Sequence, residues 1–307
     1  MRELFHTGGP SRGARVRAPT VRRLIERAAA RLARARVFFG HGTDNAWDEA
    51  AALVWYALEL PHSASAALYG RRVGRAAARR AAQLVGRRIR ERLPAAYLTG
   101  ISWFAGLPFA VDARVLVPRS PLAELIERGF APWIEPQRVR RVLDVGTGSG
   151  CIAIACARYL PRARIDALDI SPAALEVARQ NVRRHRLMRR VRLLKSDHFG
   201  ALGRERYDII VSNPPYVGRR ELLGLPAEYR HEPRIALAAG RSGLDSVHVL
   251  LREAAGHLRP HGLLIVEVGN TERAVRRAYP QLPFVWLAFA RGGGGAFLLT
   301  REQLQRH

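Results

Sequence analysis

The spacing of apolar residues changes character along the chain. From Thr20 to Arg92 they recur at intervals of three and four, the repeat of a helix with one buried face. Val21, Leu24, Ile25, Ala28 and Leu32 mark a first helix, with Thr20 placed to cap it. Phe38 to Asn45 ends that helix in a Gly-rich loop. A second helix is predicted from Trp47 to Leu60, with Leu53, Val54, Ala57 and Leu58 inward and Pro61 as its stop. A third spans residues 71–92, with Val73, Ala77, Leu84, Val85 and Ile89 inward and arginines outward. Trp103 to Val111 then reads as a β-hairpin about a Gly/Pro turn, and Leu122 to Arg128 as a short helix.

From residue 139 short buried runs alternate with helical segments. The predicted strands are Arg141–Val145, Ile165–Leu168, Val191–Leu194, Asp208–Val211, Leu263–Val268, Phe284–Ala288 and Ala296–Thr300. Helices fall at Cys151–Leu160, from Pro172 with Ser171 as cap, and over residues 244–258. Such alternation predicts an α/β fold, a doubly wound, mostly parallel sheet with one antiparallel strand from a closing hairpin. Four segments follow: a disordered basic tail over 1–19, a helical domain over 20–98, a β-hairpin linker over 99–120, and an α/β domain over 121–307.

Composition adds limits. At 307 residues and 48% hydrophobic the chain can build one large core and a small one. No apolar run approaches the ~20 residues of a membrane span, and the Arg/Gly-rich start lacks the apolar segment of a secretory signal. Cys151 and Cys156 share one predicted helix and do not face each other, so they are expected to be reduced and buried in a cytoplasmic protein. The net charge of +25 points to a polyanionic neighbourhood, with the Arg-rich helical domain as the candidate contact with RNA. Lys195 is the only lysine, a pattern that codon bias toward Arg also produces.

Two loops carry the candidate chemistry. Asp144-Val145-Gly146-Thr147-Gly148-Ser149-Gly150 joins a strand to a helix, and its glycines permit a tight turn and close approach of a ligand. Asp169, followed by Ile170, ends the next strand, where a carboxylate can accept from ribose hydroxyls. Asp197 and His198 stand at the end of the third. The third glycine comes one residue early for a dinucleotide fingerprint. The other loop is Ser212-Asn213-Pro214-Pro215-Tyr216. Two prolines stiffen it and donate no N–H, leaving the Asn213 oxygen and proline carbonyls as acceptors for a planar –NH2 group. The same residues also suit a plain strand-to-helix turn. No His/Cys/Asp cluster has metal-ligand spacing.

The glycine loop, with its acidic residue two before the first glycine, resembles that of class I methyltransferases, which bind S-adenosylmethionine. Asn213-Pro214-Pro215-Tyr216 is similar to the motif after the fourth strand in members that modify amino groups. Over residues 20–305 the chain resembles the protein-glutamine methyltransferases that act on the translation apparatus. Pro118-Arg119-Ser120-Pro121-Leu122 departs from the release-factor branch, which has Pro-Arg-Pro, an acidic residue and Thr there. It is similar instead, with Phe38 to Glu49 and Leu225 to Pro233, to the branch that methylates a glutamine of large-subunit ribosomal protein three.

That resemblance implies S-adenosylmethionine held by Asp144, Gly146 to Gly150, Asp169, Ile170, Asp197, His198 and Asn213. It implies methyl transfer at Asn213, Pro214, Pro215 and Tyr216, with Tyr216 walling the pocket. His198 is expected to stack on adenine, His231 to hold its loop, and Arg119 to pair a buried carboxylate. Methylation of an exocyclic amine on adenine or guanine uses the same acceptor logic. An assembly factor that retains the fold without catalysis is the non-enzymatic alternative.

Overall fold

The computed structural model describes residues 18–61 and 66–306, so most of the expected basic tail lies outside the described residues. The first helix, α1 (Val21–Arg34), forms where expected, and the Thr20 hydroxyl accepts from the Arg23 N–H. Helix α2 (Ala46–Ala57) ends short of Pro61. Its stop is Glu59, in the left-handed region at φ 55°. The Leu60 N–H reaches the Trp55 carbonyl and the Glu59 N–H the Tyr56 carbonyl, the double bond that closes a helix C-terminus. Helix α3 (Arg75–Glu91) starts later than predicted. Val73 is buried outside it, its N–H given to Pro19. The arginines do not all face outward: Arg88 is fully buried.

A short helix α4 (Ala95–Thr99) leads into strands β1 (Ile101–Phe104) and β2 (Leu107–Ala110). Ala105 and Gly106, at φ 47° and 71°, make the two-residue turn that matches strand twist. Helix α5 (Leu122–Glu127) follows. The sheet region then runs β3 (Arg141–Val145), α6 (Cys151–Tyr159), β4 (Arg164–Asp169), α7 (Pro172–Arg184), β5 (Val191–Lys195), β6 (Tyr207–Ser212), α8 (Arg219–Gly224), α9 (Asp245–His257), β7 (Leu258–Glu267), α10 (Glu272–Ala278), β8 (Val285–Trp286), β9 (Ala296–Thr300) and α11 (Arg301–Gln305). Strand β7 begins before the predicted run, and β8 is only two residues long.

The strand order is β5-β4-β3-β6-β7-β9-β8. Strands β3 to β7 are mutually parallel, and β9 runs antiparallel to both β7 and β8. This is the expected class I methyltransferase arrangement with a closing antiparallel strand. Strand alternation sends Val142, Ile165, Ile209 and Ile265 to one core with α5, α6 and α7. Leu143, Leu168, Ile210 and Leu264 go to the other, with α9, α10 and α11. The cysteines are free and buried among the first set, as expected. Strand order reverses between β3 and β6, the switch point where ligands bind in open sheets. Both motif loops leave the sheet there.

Helices α1, α2 and α3 share a separate core of Val21, Ile25, Leu32, Leu53, Val54 and Val85. Their seam with the sheet region is charged. Arg88 gives its Nε to Glu49 at 2.7 Å, one terminal nitrogen to Glu228 at 3.1 Å and the other to the Phe38 carbonyl at 2.7 Å. Nearby, Arg119 grips Glu232 with two bonds of 2.6 and 2.8 Å. His41 Nε2 stands 3.6 Å from the same carboxylate. Burial alone would raise Glu232, but His41 and Arg119 outweigh it and hold its carboxyl at about 2. Among the described residues no helix is long and apolar enough to cross a membrane.

Candidate active site

The site is assembled by register. Val145 at the end of β3 pairs with Ser212 at the end of β6, so the glycine loop and the Asn-Pro-Pro loop start side by side. The Ser212 hydroxyl donates to the Val145 carbonyl at 2.7 Å and ties the two ends together. A cleft of about 270 Å³ opens between them. Gly146 to Ser149, Asp169, Ile170, Asp197, His198, Asn213, Pro214 and Pro215 all line it, together with the linker segment that contains Ser120.

The glycine loop offers shape more than donors. Gly146 and Thr147 give their N–H groups to the Leu168 carbonyl, and Gly150 gives its own to Thr147. Gly148 donates to Asp169 Oδ2 at 2.8 Å. Gly146 and Gly148 sit at φ 75° and 54° with open space where a Cβ would point. Gly150 differs: a Cβ there would meet Ala178 of α7 at 3.3 Å, so its role is close helix packing.

Asp144 does not line the cleft. It is fully buried beneath the loop, where Oδ2 takes the Thr147 hydroxyl at 2.6 Å and the Ala153 N–H at 3.1 Å. Its other oxygen has no partner among the described residues, and burial pushes the carboxyl up to about 7. Asp169 does line the cleft. Its two oxygens each take one backbone N–H, from Ser171 and Gly148, and each keeps a lone pair. Burial raises its pKa as well. His198 is held at φ 44° with Nδ1 2.7 Å from Asp197 Oδ1.

On the acceptor side Pro214 is buried and Asn213 half-buried. The Asn213 side-chain oxygen is buried and has no hydrogen-bond partner among the described residues. An unmet buried acceptor costs roughly 1–3 kcal/mol. Tyr216 is not among the residues that line the cleft. Its ring lies against Gly269, and its hydroxyl is 3.4 Å from Glu267 Oε1.

The methyltransferase small domain family matches residues 129–223. A ribosomal protein uL3 glutamine methyltransferase from Bordetella pertussis is 48% identical over 286 residues, 93% of this chain and 96% of its own length. Its counterpart in Xanthomonas campestris pv. campestris is 48% identical over 288 residues, 94% of this chain and 93% of its own. This chain belongs to that family. The Francisella tularensis member is 43% identical over 289 residues, 94% of this chain and 92% of its own. Among solved structures, the hMettl16 catalytic domain in complex with MAT2A 3'UTR hairpin 1 aligns with TM-score 0.50 at 18% identity, covering 81% of this chain and 91% of that one. That likeness concerns the fold alone.

Glu267 at the end of β7 is buried, accepts from the Ser120 hydroxyl, and is pushed by burial up to about 7. Its only signal in the sequence is an acid ending an apolar run. His231 lies away from the cleft, its Nε2 2.9 Å from the Glu91 carbonyl, in a structural place. Among the described residues no His/Cys/Asp/Glu group is arranged to hold a metal ion.

Proposed function

We propose that this chain transfers a methyl group from S-adenosylmethionine to the side-chain amide nitrogen of a glutamine in ribosomal protein uL3. The observation that carries the chemistry is Asn213, a residue of the cleft beside the glycine loop whose side-chain oxygen has no partner among the described residues. The names of relatives identical at 43–48% over nearly their whole lengths support the substrate.

The residues present fit the methyl donor. The open faces of Gly146 and Gly148 leave room for close approach, and Ile170, 45% exposed in the cleft, offers an apolar wall. Four loop N–H groups are already engaged within the protein. A loop short of free donors suits a cationic amino group better than a pyrophosphate, and this weighs against a nicotinamide-dependent oxidoreductase. Asp169 would accept from ribose hydroxyls, and Asp197 and His198 would flank the base. Asp144 would act from beneath, by holding Thr147 and the start of α6. When bound, S-adenosylmethionine supplies an electrophilic methyl on a sulfonium.

An amide nitrogen is a weak nucleophile because its lone pair is delocalised into the carbonyl. The Asn213 oxygen and the Pro214 carbonyl would accept its two protons. This turns the nitrogen toward the donor and favours positive charge as it develops there. A protonated amide is acidic enough to release its proton without a dedicated base.

We assign substrate docking to the helical segment 20–98, joined to the catalytic segment 121–307 by the hairpin linker. Exposed Arg27, Arg75, Arg79 and Arg90 give it a basic face suited to ribosomal RNA near the substrate. Incubation with labelled cofactor and either purified uL3 or ribosomal RNA tests the reading. Label in uL3 at one glutamine is expected. Label in RNA alone would transfer the assignment to exocyclic amine methylation.

A further inference from the structure

We propose that Glu267 is a positioning residue for methyl transfer, bracing Tyr216 and Ser120 so that the acceptor notch keeps its place in the cleft. This rests on the reaction proposed above. Strands β6 and β7 are parallel neighbours with Ser212 opposite Val266, so Glu267 follows on β7 as Asn213 follows on β6. One Glu267 oxygen accepts from the Ser120 hydroxyl, and the other faces the Tyr216 hydroxyl at 3.4 Å. Ser120 also takes the Leu122 N–H at 3.2 Å, which fixes it to the start of α5. The carboxyl thus spans the gap between the segment that walls the cleft and the residue that closes the Asn-Pro-Pro motif.

Tyr216 has little freedom in this bay. A Cβ on Gly269 would come within 2.6 Å of its ring, and one on Gly243 within 2.4 Å of its carbonyl oxygen. Both glycines have positive φ, 47° and 81°, and with them the backbone makes room for Tyr216 on two sides. Among the described residues Glu267 has no bonded cation: the nearby Arg119 is committed to Glu232. A carboxyl buried without a cation is costly, and an apolar residue of similar size would serve the fold as well or better. Its bonds instead run to two residues at the site. A displacement of the notch by about 1 Å is enough to cost on the order of 100-fold in rate.

The test uses the full chain with uL3 as substrate. E267L removes the brace and is expected to lower kcat about 100-fold. Its KM for uL3, its Kd for S-adenosylmethionine and its Tm should stay close to wild type. E267Q can still bond both hydroxyls, accepting with Oε1 and donating with Nε2, and should restore kcat to within about fivefold of wild type. Should E267L fold poorly, Y216F with S120A removes the same two bonds and is expected to show the same loss of kcat with cofactor affinity intact. Wild-type turnover in E267L, or in that double variant, overturns the brace. So does equal loss of kcat and cofactor affinity, which marks a purely structural residue. If the wild-type chain itself places no methyl on uL3, the underlying function falls as well, which separates the two failures.

Discussion

The seam between the helical segment and the sheet treats buried polar groups differently from the cleft a few residues away. At the seam Arg88 meets three acceptors and Arg119 takes Glu232 with two parallel bonds. His41, with neither ring nitrogen hydrogen-bonded, is the seam's exception. At the cleft the Asn213 oxygen has no partner among the described residues, and one oxygen of Asp144 beneath it has none either. The carboxyl pKa values follow this only in part: Glu232 is held down at about 2 and Asp144 and Glu267 are pushed up to about 7, but burial also raises Glu49 of the seam despite its bond to Arg88. Paired charge fixes how the parts sit together, whereas the unpaired Asn213 oxygen belongs to a residue of the cleft, where the proposed substrate amide would supply a donor.

The largest way to break this contrast is Arg88→Ala. It leaves Glu49 buried without its cation and Glu228 with only Arg92, at 3.3 Å, and should cost about 3–5 kcal/mol in urea unfolding. A loss under about 1 kcal/mol would reduce the seam to the value of a surface pair. Next comes pH. Glu232 has a folded pKa below its ordinary 4.5, so its contribution is present above 4.5 and lost as pH falls toward about 2. The amount is on the order of 3 kcal/mol, and E232Q should flatten that limb of the stability–pH curve. Asp144 and Glu267 act with the opposite sign. Raised to about 7, they favour folding most below their ordinary values, and that stability is lost as pH rises through about 7.

The smallest effect sharpens the cleft side. Gly148→Ala puts a methyl at φ 54° into open space. Strain should lower stability by about 1–2 kcal/mol. The methyl should also weaken S-adenosylmethionine binding by about tenfold in calorimetry. Unchanged affinity would mean that the donor does not approach this glycine.

Much of the α/β half was legible because its signals are local: apolar runs of strand length, Ser171 and Pro172 at a helix start, glycines before α6. The start of β7 was not, since Arg259-Pro260-His261-Gly262 reads as a turn; there the pairing with β6 shifts register between Tyr207 and Ile209. Arg88 was missed because an arginine on an Arg-rich helix reads as solvated. Its partners lie 39 and 140 residues away in sequence, beyond any local pattern. The two motif loops identified the candidate residues but not their sides. Nothing in the sequence placed Asp144 beneath its loop or Tyr216 against Gly269, because both placements depend on packing between distant segments. Glu267 was invisible for the same reason.

Asn213, expected from the sequence to contact S-adenosylmethionine as well, would act chiefly by holding the amide nitrogen. Single-turnover methyl transfer to uL3 by Asn213→Ala, measured beside the Kd for S-adenosylmethionine, tests it most directly. The expected result is a rate lower by at least about 100-fold with cofactor affinity nearly unchanged. A wild-type rate, or a loss of cofactor binding as large as the loss of rate, would contradict it.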